Sequence, residues 1–87
     1  MAKKWIINNN KLILGDVELH KDLISKNNDI NKTLGGGYWY YNKDTNIIYF
    51  WGESFDFGQV TKKEFENSQK RLNIKNLTII FSYKKMF

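Results

Sequence analysis

The sequence predicts a single α+β domain (1–87): one mixed β-sheet of about five strands with two helices, in the order ββ-α-ββ-α-β. Three observations carry that expectation. Residues 34–58, LGGGYWYYNKDTNIIYFWGESFDFG, hold two aromatic or β-branched runs, Tyr38 to Tyr41 and Ile47 to Trp51, around the polar stretch Asn42 to Asn46. Such runs suit the half-buried surface of a sheet, and Asn and Asp suit a reversing turn, so this is a β-hairpin. Residues 77–83, LTIIFSY, are mostly apolar and contain neither Gly nor Pro. They read as a strand at the centre of the sheet, buried on both faces. Third, Thr61-Lys62-Lys63-Glu64 is a capping-box pattern that starts a helix.

In chain order, Lys4 to Asn8 is a first strand, Asn8-Asn9-Asn10 a turn, and Lys11 to Leu14 a second strand, closed by Gly15-Asp16. Leu19, Leu23 and Ile24 then share one side of a short helix within Val17 to Lys26, which fades at Asn27-Asn28. Asp29 to Thr33 leads into the central hairpin. Glycines outside a turn mark places where backbone bends unusually or is closely approached, and Gly35-Gly36-Gly37 and Gly52…Gly58 set one such place at each end of the hairpin. The second helix carries Phe65 and Leu72 on one face and runs to about Asn73, before a turn at Ile74-Lys75-Asn76 and a tail from Lys84 to Phe87.

Composition narrows the chemistry. The chain has no cysteine, which excludes disulfides, thiolate metal sites and a cysteine nucleophile, and its single histidine argues against a zinc cage. No metal and no cofactor is expected. No apolar run approaches a membrane span and the start, MAKKWIINNN, is no signal peptide, so a cytoplasmic protein without a membrane partner is expected. The net charge of +5 favours an anionic partner, but the basic residues are dispersed, which makes a nucleic-acid track the weaker reading. Fourteen aromatics (3 Trp, 5 Tyr, 6 Phe) exceed what a small core needs and leave some for a ligand or for a homo-oligomer interface. Lys, Asn and Ile, all with AT-rich codons, point to an AT-rich bacterial or phage genome.

Few residues offer chemistry. His20 alone titrates near neutrality without a large shift; it is either a surface histidine or a general base or phosphoryl acceptor at a helix start. Ser54 lies in the loop bracketed by Gly52 and Gly58, where successive amides can cradle an anion or merely connect strand to helix. No GKS or GKT occurs, and the three glycines precede a strand, so neither a Walker loop nor a dinucleotide fingerprint is present. Tyr38, Trp39, Tyr40 and Tyr41 alternate faces, and their outward pair suits base stacking or a subunit contact. Asp16, Asp22, Glu53 and Asp56 are scattered, with no pairing that suggests carboxylate hydrolysis.

Taken together, His20-Lys21-Asp22-Leu23-Ile24, Leu34-Gly35-Gly36-Gly37 and the run from Ile48 to Gly58 resemble the phosphohistidine phosphatase (janus/ocnus) family. There a histidine-led helix, an LGGG segment, a short hairpin and a Tyr-Gly-x-Ser-x-x-x-Gly loop follow in that order. Lys4-Trp5-Ile6-Ile7 resembles the family's first strand, which carries a phosphate-binding lysine. The resemblance implies a phosphohistidine-phosphatase-like fold. It also implies a phosphate site of Lys4, His20, the Lys21 amide, Ser54 and the loop around it, with Phe55 and Gly58, and His20 as the base of a metal-free phosphatase. Two departures matter. Tyr38 stands where the family has a phosphate-holding arginine, and Asp56 lies in a loop that is otherwise small or neutral. A tyrosine lacks the guanidinium's charge and two-pronged geometry. A carboxylate repels phosphate but suits ribose hydroxyls.

The expectation is therefore a protein that binds a phosphorylated, nucleotide-like molecule and sequesters it. Small phage accessory proteins do this to host immune signals such as cyclic nucleotides or ADP-ribose derivatives. A phosphohistidine or phosphoramidate phosphatase using His20 is the alternative. A protein-interaction module that inhibits a host enzyme is the second.

Overall fold

The computed structural model describes residues 2–69 and 76–85. It is α+β. A five-stranded mixed sheet is built from β1 (Ala2–Asn8), β2 (Lys11–Val17), β3 (Thr33–Asn42), β4 (Ile47–Trp51) and β5 (Thr78–Phe81). The spatial order is β2-β1-β3-β4-β5. Every neighbouring pair is antiparallel except β4 and β5, which are parallel. That exception follows from the connection: β4 reaches β5 through a helix, α1 (Lys62–Gln69), and a crossover is what parallel strands require.

Both hairpins form where the polar residues place them. Asn9 and Asn10 take positive φ of 53° and 62°, the backbone of a two-residue turn whose twist matches its strands. In the second turn the Asn42 side chain accepts from the Asp44 amide at 3.0 Å, and Asn46 adopts a φ of 56°. The capping box at α1 is complete. The Glu64 amide donates to Thr61 Oγ1 at 3.1 Å, and the Thr61 amide donates to Glu64 Oε1 at 2.8 Å. The expected end of this helix at Asn73 lies outside the described residues.

Strand alternation sorts the side chains. One face carries Trp5, Ile7, Ile48 and Phe50, which are buried under Val60 and Phe65. Phe65 of α1 stacks on Phe81 at 4.5 Å and meets Trp5 edge-on at 5.4 Å. The Trp5 indole N–H, which burial would otherwise leave unpaired, donates to the Tyr38 carbonyl at 2.8 Å. The opposite face carries Lys4, Ile6, Gly36, Tyr38 and Tyr40, paired across β1 and β3 as Lys4 with Tyr38 and Ile6 with Gly36.

Three expectations change. The helix within Val17 to Lys26 is only a four-residue 3₁₀ turn, His20–Leu23, so the described residues hold one α-helix, not two. β2 continues through Gly15 and Asp16 to Val17, which leaves too little chain for a second helical turn, and nucleating a helix over so few residues is unfavourable. Leu19, read as part of the apolar face, is exposed. Next, residues 77–83 do not form the central strand. β5 spans only Thr78–Phe81, stands at the end of the sheet order, and is half-buried. Finally, the three glycines do not precede a strand but lie inside β3, the middle of the sheet. Their missing side chains let other segments close directly onto the backbone. An added Cβ at Gly36 would strike the Trp5 carbonyl oxygen and come within 3.1 Å of His20 Cδ2.

Candidate functional site

The His20–Leu23 turn packs on the Lys4–Tyr38 face of the sheet. Leu23 rests on Gly15, and His20 sits over Gly36, both strand glycines. The turn is held by its own short bonds: the Asp22 amide donates to the Leu19 carbonyl, and the Leu19 amide to Asp22 Oδ2, each at 3.0 Å. The imidazole is 3 % exposed. Its Nε2 lies 2.8 Å from the Gly37 carbonyl oxygen; a carbonyl only accepts, so Nε2 carries the proton. In the neutral ring, Nδ1 then holds the lone pair. Burial pushes the His20 pKa below 6.5; the bond to Gly37 and the charge of Asp56 oppose that, and the charge of Lys4 adds to it. His20 is therefore neutral at pH 7.

Nδ1 has no hydrogen-bond partner among the described residues. It is also not among their fully enclosed unpaired side-chain atoms, a class to which only Gln69 Oε1 belongs. The histidine is thus buried, with its accepting nitrogen unpaired among the described residues.

Around it the predicted residues divide. Lys4 extends from β1 and its ammonium donates to the Glu18 carbonyl. Tyr38, opposite Lys4 on β3 and 36 % exposed, meets the imidazole edge-on with centroids 5.6 Å apart. Its ring centroid also lies 6.1 Å from that of Trp51. Asp56 is near enough to act on the His20 charge. Lys21 is exposed on the same turn. Lys4, His20, Tyr38 and Asp56 thus form one corner.

The loop after β4 is docked against that corner by its end. Gly58, with a φ of +84°, turns its carbonyl to accept from the Gly36 amide at 3.1 Å, on the stretch of β3 that β4 is too short to pair. Ser54 is buried and organises the loop. Its amide and carbonyl exchange bonds with Gly58 at 3.0 and 2.8 Å, and its Oγ accepts from the Asp56 and Phe57 amides at 3.2 and 3.1 Å. The amides of residues 54, 56, 57 and 58 therefore point inward. The concavity expected there for an anion is closed by the loop's own serine. Phe55, at the tip, is 99 % exposed and stands apart from the imidazole's buried surroundings.

Sequence reasoning missed the Gly37 carbonyl, which sets the histidine tautomer, and the role of Gly36 as the floor beneath the ring. The triple glycine was the signal for both. Its position inside a strand, not before one, was what the sequence hid. Among the described residues no three His, Cys, Asp or Glu side chains cluster to hold a metal, and no helix is long and apolar enough to cross a membrane. No protein-family model, no curated protein and no solved structure matches this chain.

Proposed function

We propose that the chain binds a small phosphorylated, nucleotide-like molecule at the Lys4–His20–Tyr38–Asp56 corner and sequesters it without turnover. One observation carries the reading: a buried, neutral histidine, its acceptor nitrogen unpaired among the described residues, lies within reach of the charges of Lys4 and Asp56 and beside the Tyr38 ring. An imidazole acceptor with a lysine suits a protonated or hydroxyl-bearing anion. The Tyr38 ring suits a base, and Asp56 suits ribose hydroxyls. Retention fits better than hydrolysis because the loop's amides are spent on Ser54. They are not aimed where charge would develop on a transferring phosphoryl group. Cyclic nucleotides and ADP-ribose derivatives, the currency of phage–host immune signalling, are the ligand classes we favour. We read the fold as a divergent phosphohistidine-phosphatase-like scaffold on the same grounds: a histidine over the second glycine of LGGG, a lysine on the first strand, and a serine loop docked on that glycine segment.

A second reading is favoured by the Nδ1 lone pair, which could accept a proton from water during phosphoramidate hydrolysis.

The test is thermal stabilisation of the full chain by cyclic dinucleotides, ADP-ribose isomers, mononucleotides and inorganic phosphate, with the ligand recovered and analysed. A ligand at about 100 times its Kd stabilises by about 3 kcal/mol. A large shift with intact ligand, lost in Lys4→Ala, is expected. Cleaved ligand moves the reading to the enzyme, and no shift across the panel overturns both.

A further inference from the structure

We propose that copies of this chain join head to tail, with Phe55 of one copy inserted into the apolar groove beside Tyr41 of the next. The inference is independent of the ligand reading above.

The inserted group is a whole aromatic side chain left in water, 99 % exposed, on a loop that cannot easily withdraw it. Ser54 Oγ, the Ser54–Gly58 pair and the Gly36-to-Gly58 bond hold that loop on the central strand. Burying a ring whose backbone is already held forfeits only side-chain freedom, and buried aromatics are enriched among the residues that dominate interface energetics.

The receiving feature lies at the other end of the same hairpin. Trp39, Tyr41, Asn46, Ile48 and Leu77 line a groove of about 330 Å³. Its polar groups are already engaged. Trp39 Nε1 donates to the Lys4 and Gly15 carbonyls, Tyr41 Oη donates to Asn46 Oδ1 at 2.7 Å, and Asn46 Nδ2 donates to the Asn76 carbonyl at 2.6 Å. Each of these polar side chains already spends a hydrogen bond within the chain, which favours an aromatic ring over a polar occupant.

Charge agrees with shape. Glu53 and Asp56 flank Phe55 in the sequence. Beside the groove stands Lys3, whose ammonium is 5.8 Å from the centre of the Trp39 ring that lines it. The carboxylates of the loop thus meet a cation beside the groove. Because ring and groove are different surfaces at opposite ends of β4, the contact is heterologous and generates closed rings or open chains, not a two-fold dimer.

Sedimentation of the full chain over a concentration series tests this. Wild type should assemble. Phe55→Ala and, separately, Tyr41→Glu should each weaken assembly by on the order of 30-fold. Both residues are exposed, so unchanged circular dichroism should accompany the loss. An equimolar mixture of the two variants retains one intact ring and one intact groove, and should form a dimer and nothing larger. A monomeric wild type, a Phe55→Ala chain that assembles like wild type, or a mixture that stays monomeric would each overturn the proposal.

Discussion

His20 Nε2 donates to the Gly37 carbonyl at 2.8 Å, so one bond joins the short 3₁₀ turn to the central strand and leaves Nδ1 as the acceptor. The bond exists because Gly36 has no side chain to hold the ring away.

Stability should fall as pH drops through the neutral-to-acidic range. Burial lowers the folded His20 pKa below 6.5, so the unfolded chain takes up this proton first. The contribution is complete above about pH 6.5 and is lost as pH falls toward the lowered folded value. Melting curves from pH 7.5 to 5 should show this slope, and His20→Gln should flatten it. An identical slope in the variant would remove His20 as its source.

Gly36→Ala should destabilise the fold by about 2 kcal/mol or more, because the new methyl meets the Trp5 carbonyl, which is held within the sheet. Urea unfolding measures this. The same substitution should also displace the imidazole, visible as a shift of the His20 ring resonances. A neutral effect on stability would mean that the strands can part more cheaply than their packing implies.

Ser54→Ala removes the acceptor of the Asp56 and Phe57 amides. A cost of about 1 kcal/mol is expected, with faster hydrogen exchange at those two amides than at Gly58, whose partner is backbone. Equal acceleration at all three would indicate that the loop opens as one unit.

Tyr38→Arg places a guanidinium opposite Lys4 and next to the His20 ring. Calorimetry with inorganic phosphate should show affinity rising by ~10-fold, since two-pronged charged bonds replace a neutral ring. Nucleoside-bearing ligands should gain less, having lost the ring they stack on. No gain for phosphate would place the anion elsewhere.

Much of this was legible in the order of residues, because the signals were local. Asn9-Asn10 and the Asn42–Asn46 stretch determined two turns through left-handed backbone and side-chain bonds within a few residues. Thr61 and Glu64 determined the start of α1 by satisfying each other's amides. The gathering of Lys4, His20, Tyr38 and Asp56 has no local cue, and neither has the direction in which the Ser54 loop turns its amides. That direction depends on where Ser54 Oγ is buried.

What the sequence by itself determined, then, was the set of elements with local cues: both hairpins, the capped helix, and an apolar final strand. Tertiary structure decided which strand lies at the centre. The apolar pattern of residues 77–83 favoured burial, yet the centre went to β3, because its bare glycines admit His20 on one face and Val60 on the other. Only tertiary structure could decide that a four-residue turn, too short to be stable alone, forms over Gly36 and Gly15. Hydrophobic pattern records how much surface a segment wants buried; which neighbour does the burying depends on shape, and shape exists only once the strands are side by side.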